Sequence, residues 1–139
     1  MSERELNKIL YVEDDLDIQV VGVLALEQVG GFSVSVASSG TEALALALEV
    51  QPDLILLDVM MPGMDGLATL ERLRSDPLTS EMPVVFMTAK IQNQEVAQYH
   101  QAGAVGVIPK PFDPMNLAAQ IRGIWKQLPE PTTARGADR

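Results

Sequence analysis

Two uninterrupted apolar runs, Ile9-Leu10-Tyr11-Val12 and Leu54-Ile55-Leu56-Leu57, are each followed at once by acid: Glu13 and Asp14 after the first, Asp58 after the second. Runs of this length bounded by polar residues suit strands buried on both faces of a parallel sheet, and open α/β sheets bind ligands at the carboxyl ends of such strands. Three carboxylates thereby converge on one edge. Like charges held that close are unfavourable unless a proton or a cation offsets them, so the grouping points to a divalent metal, Mg²⁺ before others.

The rest of the pattern alternates strand-like and helix-like segments, which predicts five βα units and a parallel sheet with crossover helices. Asp15 or Asp17 caps a first helix that carries Ile18, Val21, Ala25 and Val29 at helical spacing, and Gly30-Gly31 ends it. Phe32, Val34 and Val36 alternate with Ser33 and Ser35, the period of a half-exposed strand at a sheet edge. A second helix is expected over residues 41–50, and a third near Leu67, capped by Asp65 after a Met-Pro-Gly-Met loop. The run at 83–87 delivers Thr88, Ala89 and Lys90 to the acidic edge, with a weakly amphipathic helix following as far as Ala102. A short fifth strand over 105–108 meets Pro109, which cannot donate to a sheet ladder, and then Lys110. Leu117, Ile121, Ile124 and Leu128 mark one face of a last helix despite Gly123 within it. Residues 6–128 therefore form the domain, and 129–139, with no apolar anchor, are expected to be a disordered tail.

Composition narrows the function without choosing it. With 139 residues the chain fits one domain, and no apolar run approaches the roughly 20 residues of a membrane span. The N-terminus has neither a secretory core nor an Arg-rich transit pattern, so a cytoplasmic location is expected. Cysteine is absent, which excludes disulfides, thiolate metal sites and thiol nucleophiles. A formal net charge of −9 opposes attraction to nucleic acid or anionic lipid, and neither is expected as a partner.

Residues 6–128 resemble the receiver domain of two-component response regulators. The likeness rests on motifs in a fixed order: Tyr11-Val12-Glu13-Asp14-Asp15, then Leu57-Asp58-Val59-Met60-Met61-Pro62-Gly63-Met64-Asp65-Gly66, then Thr88-Ala89-Lys90, Gly103-Ala104 and Lys110-Pro111-Phe112. It implies a doubly wound, flavodoxin-like α/β fold with strand order 2-1-3-4-5 and Asp58 as phosphoacceptor. The family pattern further implies Mg²⁺ held by Asp14, Asp58 and the Met60 backbone carbonyl, with Glu13 acting through water or from behind the ligands. Lys110 supplies a point charge for phosphoryl oxygens and Thr88 a hydroxyl, and the Lys110-Pro111 peptide is cis in the family. The donor that the resemblance implies is a histidine kinase or histidine phosphotransfer protein. A downstream protein target is implied but not named, and homodimerisation stays open.

Taken singly, each residue has a plainer role: Asp58 as a helix cap, Thr88 as a strand former, Lys110 as a solvated charge. Together they favour phosphoryl chemistry. No helix-turn-helix or second domain fits the sequence, so a stand-alone receiver acting by protein contact is expected, a signalling domain rather than an enzyme, although a cut from a longer regulator stays open. The enzyme alternative is a Mg²⁺-dependent phosphohydrolase with an aspartyl-phosphate intermediate; such enzymes place an acid two residues after the nucleophile, where this chain has Met60. A phosphate-free scaffold is the third alternative, and the intact acidic, hydroxyl and lysine positions speak against it. His100 is expected to be an exposed helix residue without a role, and Trp125 either to anchor an interface or to pack partly against the fold. Two positions depart from many receivers: Val107 replaces a strand-five aromatic, and Met60 cannot orient an attacking water by a strong hydrogen bond.

Overall fold

The structure, a computed structural model, describes residues 5–129. The expected tail at 129–139 lies outside them apart from Pro129. Five parallel strands stand in the order β2-β1-β3-β4-β5: β1 Lys8–Val12, β2 Ser33–Ala37, β3 Leu54–Asp58, β4 Val84–Thr88 and β5 Gly106–Pro109. The expected flavodoxin-like order is thus the observed one. β3 and β4 are buried throughout, whereas β2 at the edge is buried only at Ala37, as continuous and alternating patterns respectively require.

Side-chain alternation sends each strand's residues to two cores. Leu10, Val12, Ile55, Leu57, Val84 and Phe86 face α2 (Gly40–Val50), α3 (Gly66–Ser75) and α4 (Asn93–Ala102). Ile9, Tyr11, Leu54, Leu56, Val85 and Met87 face α1 (Leu16–Leu24) and α5 (Leu117–Gln127). The caps follow from the sequence: Asp15 Oδ1 accepts from the Asp17 and Ile18 amides at 2.9 and 3.1 Å, and Asp65 Oδ1 from the Ala68 amide at 2.9 Å. Arg74 ties α3 to two connections, donating to the carbonyls of Met82 and Gly103 at 2.8 and 2.9 Å.

The first helix differs from its expected face. Ala25 is buried as expected, but Val21 and Val29 are exposed, and Gly22 and Leu26 are buried in their place. The large ring of buried Tyr11 causes this, since a Cβ at residue 22 would overlap the Tyr11 phenol and only glycine lets the helix approach. A π-helical turn over Ala25–Val29 then follows directly on α1. At the fifth strand the expected span of 105–108 moves one residue on, to Gly106–Pro109, with Pro109 as the last strand residue on the sheet edge. On α5 the expected face is buried at Leu117 and Ile121 and partly buried at Ile124, and Trp125 is partly buried beside it.

Candidate functional site

β1 and β3 are neighbours, yet β2 lies on the far side of β1, so chain direction across the sheet reverses between them. That switch point opens a crevice at the strands' carboxyl ends. Glu13 and Asp14 follow β1 there, Asp58 ends β3, Thr88 ends β4 and Lys110 follows β5. The register sets the last three side by side, pairing Asp58 with Met87 and Thr88 with Pro109. One carboxylate oxygen each from Glu13, Asp14 and Asp58 lies within 4.8 Å of the others. Glu13 and Asp58 are buried and Asp14 half-buried, so the last opens the cluster to solvent.

Lys110 Nζ reaches into this group, 3.0 Å from Glu13 Oε1 and 3.5 Å from Asp58 Oδ1. Burial alone would depress its ammonium, but the hydrogen bond to Glu13 and the charge of Asp58 outweigh that and lift it above its ordinary value. For Asp58 the balance runs the other way. Burial pushes its carboxyl up and the neighbouring Glu13 adds to the rise; Lys110 and the Met60 amide oppose them, and the result is about 7. Asp58 in this cluster therefore lies near its midpoint at neutral pH, and its surroundings are short of positive charge. Three hard oxygen donors around such a deficit are what Mg²⁺ requires, and the residues present fit it.

Supporting contacts hold the cluster in shape. Glu13 Oε2 accepts from the Asp15 amide at 3.1 Å, and Gln19 donates to the Glu13 carbonyl at 2.7 Å and to Ser38 Oγ at 2.9 Å. The Met60 amide donates to Asp58 Oδ1 at 3.3 Å, while the Met60 side chain is 55% exposed. Thr88 is fully buried, and its Oγ1 accepts from the Lys90 amide at 3.0 Å. The Lys110-Pro111 peptide is cis. Every side chain singled out for the site thus lies at this edge. The Glu13–Lys110 ion pair and the Gln19 brace were not read from the sequence, because partners 97 and 6 residues apart carry no local signal. His100 is exposed, with Nδ1 3.1 Å from the Ala104 carbonyl.

The chain is thus a five-stranded doubly wound α/β domain with acids, a hydroxyl and a lysine gathered at its switch point. The family comparison is specific: residues 9–122 match the response regulator receiver domain. The chain belongs to that family, whose members are phosphoacceptor signalling domains. It is 38% identical over 120 residues to the DNA-binding dual master transcriptional regulator RpaA of Synechocystis, covering 86% of this chain and 49% of the relative. It is 39% identical over 115 residues to the DNA-binding response regulator MtrA of Mycobacterium tuberculosis, covering 83% and 49%. The chain thus spans about half the length of the curated relatives it matches. Among solved structures, chemotaxis response regulator CheY4 of Vibrio cholerae superposes with a TM-score of 0.79 at 28% identity, covering 86% of this chain and 99% of that one. A response regulator structure from Chloroflexus aurantiacus gives 0.79 at 32% identity, covering 88% and 100%. Among the described residues no helix is long and apolar enough to cross a membrane.

Proposed function

We propose that Asp58 accepts a phosphoryl group from a phosphorylated histidine of a kinase or phosphotransfer protein, and that the resulting acyl phosphate alters contact with a downstream protein in the cytosol. The observation that carries this is the Glu13, Asp14 and Asp58 cluster within 4.8 Å, with Lys110 3.5 Å from Asp58. In the transfer an Asp58 carboxylate oxygen bonds to phosphorus as the bond from phosphorus to the imidazole nitrogen breaks. The imidazole keeps the electron pair and takes up a proton. Lys110 and the Thr88 hydroxyl then donate to phosphoryl oxygens. Mg²⁺ would be held by Asp14, Asp58 and the Met60 carbonyl, with Glu13 as a ligand or behind one, and would offset charge between the carboxylate and the phosphoryl oxygens.

Incubation with Mg²⁺ and acetyl phosphate, read by intact mass, tests the proposal: one added phosphoryl group per chain is expected. Continuous release of phosphate from simple phosphate esters, without such an adduct, would support the phosphohydrolase reading instead. That reading is disfavoured because Met60, two residues past Asp58, has no proton to give. The RpaA and MtrA relatives are DNA-binding regulators, whereas the −9 charge here favours protein contact for this segment.

Two further expectations concern lifetime and response. Met60→Asn should hasten loss of the phosphoryl label about fivefold, the effect of one added hydrogen bond on an attacking water. An unchanged decay rate would defeat this. Val107 is half-buried against the core beside Phe86, with no ring to swing. Structures with and without beryllofluoride should therefore superpose at its side chain; a large displacement there would count against the assignment.

A further inference from the structure

We infer that Tyr99 on α4 is a positioning residue that fixes where the Thr88 hydroxyl rests and passes its movement to α4. This deepens the proposed function and rests on Asp58 being the phosphoacceptor. Lys90 is held at both of its backbone polar groups. Its amide donates to Thr88 Oγ1 at 3.0 Å, and its carbonyl accepts from the Tyr99 hydroxyl at 3.0 Å. One peptide-linked residue therefore bridges a side chain of the site and a side chain of a helix.

Both ends of the bridge are anchored in packed surroundings. Thr88 is fully buried, and Tyr99 is 3% exposed on a helix whose neighbours Gln98 and His100 are exposed. The Tyr99 ring meets Phe86 edge to face, with centroids 5.3 Å apart and planes at 73°. Phe86 precedes Thr88 by two residues on β4, so ring and hydroxyl grip the same strand end from two directions. The helix start is fixed as well: the Gln92 amide donates to Glu95 Oε1 at 3.1 Å in a capping box. At the other end the Ala104 amide donates to the Tyr99 carbonyl at 3.1 Å. Val107, the β5 partner of Phe86 in register, has neither ring nor hydroxyl with which to share this work.

A buried phenol hydroxyl satisfied by a single loop carbonyl follows that carbonyl, since losing the bond leaves a buried polar group unpaired. When the Thr88 hydroxyl turns toward a phosphoryl group, its bond to the Lys90 amide changes. The Lys90 peptide then shifts, and Tyr99 with α4 shifts with it.

Amide chemical shifts of ¹⁵N-labelled protein, with Mg²⁺ and with or without beryllofluoride, test this. In the unsubstituted chain beryllofluoride should move signals around Asp58 and Thr88 and along 93–102. In Tyr99→Phe the changes around Asp58 and Thr88 should persist, while those along α4 shrink by roughly threefold or more, within the range of ordinary site-to-site coupling. A purely structural role would shift α4 signals equally in free and bound forms and leave their difference intact; that result overturns the inference. Should Tyr99→Phe not fold, 3-fluorotyrosine in the unsubstituted chain replaces it. The Tyr99 fluorine resonance, assigned with Tyr11→Phe, should move on beryllofluoride addition, and an unmoved resonance overturns the inference. Absence of any beryllofluoride response at Asp58 in the unsubstituted chain would instead remove the phosphoacceptor reading on which the relay stands.

Discussion

Asp58→Asn is expected to abolish acyl phosphate formation and at the same time to stabilise the metal-free protein at neutral pH. The first effect is total, because an amide oxygen forms no stable acyl phosphate and the remaining acids retain their own surroundings. The second follows from linkage. The Asp58 carboxyl rises from an ordinary 3.8 to about 7 in the folded chain, so the native state holds its proton more tightly than the unfolded state does. Relative to the ionised form, that stabilisation is fully present below about pH 3.8 and is lost as pH rises to about 7. Well above pH 7 the folded chain carries an ionised, buried Asp58 beside Glu13 at a cost of about 4 kcal/mol. Asn removes that charge. Urea unfolding of the variant should match the parent near pH 4 and exceed it progressively toward about pH 8. Equal stability at both ends would show that the cluster is not charge-strained. Added Mg²⁺ should narrow the difference by stabilising the parent.

Lys110→Met should separate two affinities that a general loss of structure would move together. Its ammonium sits 3.0 Å from Glu13 and 3.5 Å from Asp58, so without metal it is the nearby cation of the site. Removing it deepens the local deficit of positive charge. Above the Asp58 titration, at about pH 8.5, Mg²⁺ binding measured by calorimetry should tighten by about tenfold, as expected for losing one adjacent positive charge at partial burial. Beryllofluoride binding, which needs a donor to the phosphoryl-like fluorines, should weaken by roughly 100-fold, the worth of a charge-assisted hydrogen bond in a partly dry site. Weakening of both would mean that Lys110 chiefly maintains the fold. At lower pH, Asp58 in the variant should hold its proton still more firmly, because the charge that opposes burial and Glu13 is gone.

Much of this molecule is legible in its sequence because its signals are local. The runs Ile9–Val12 and Leu54–Leu57 report strands buried on both faces, since a central parallel strand has no solvent side to mark with polar residues. Asp15 and Asp65 announce helix starts because a cap bonds to amides two or three residues ahead. The acids, Thr88 and Lys110 each end or directly follow a strand, and the parallel topology obliges residues at strand ends to share one edge. Fold class and the membership of the site were therefore determined by the order of short segments along the chain.

What the tertiary structure alone decided involves contacts between distant segments. The face that α1 buries turns on the volume of Tyr11 against Gly22, a competition that helical periodicity does not register. The rise of the Asp58 carboxyl depends on burial and on Glu13 lying beside it, 45 residues away in sequence. Lys110 finds Glu13 across 97 residues, and the Tyr99 hydroxyl finds the Lys90 carbonyl only because α4 folds back over β4. Propensity and pattern act over a turn of helix or a pair of residues, whereas charge, volume and hydrogen bonding act through space once the chain has closed.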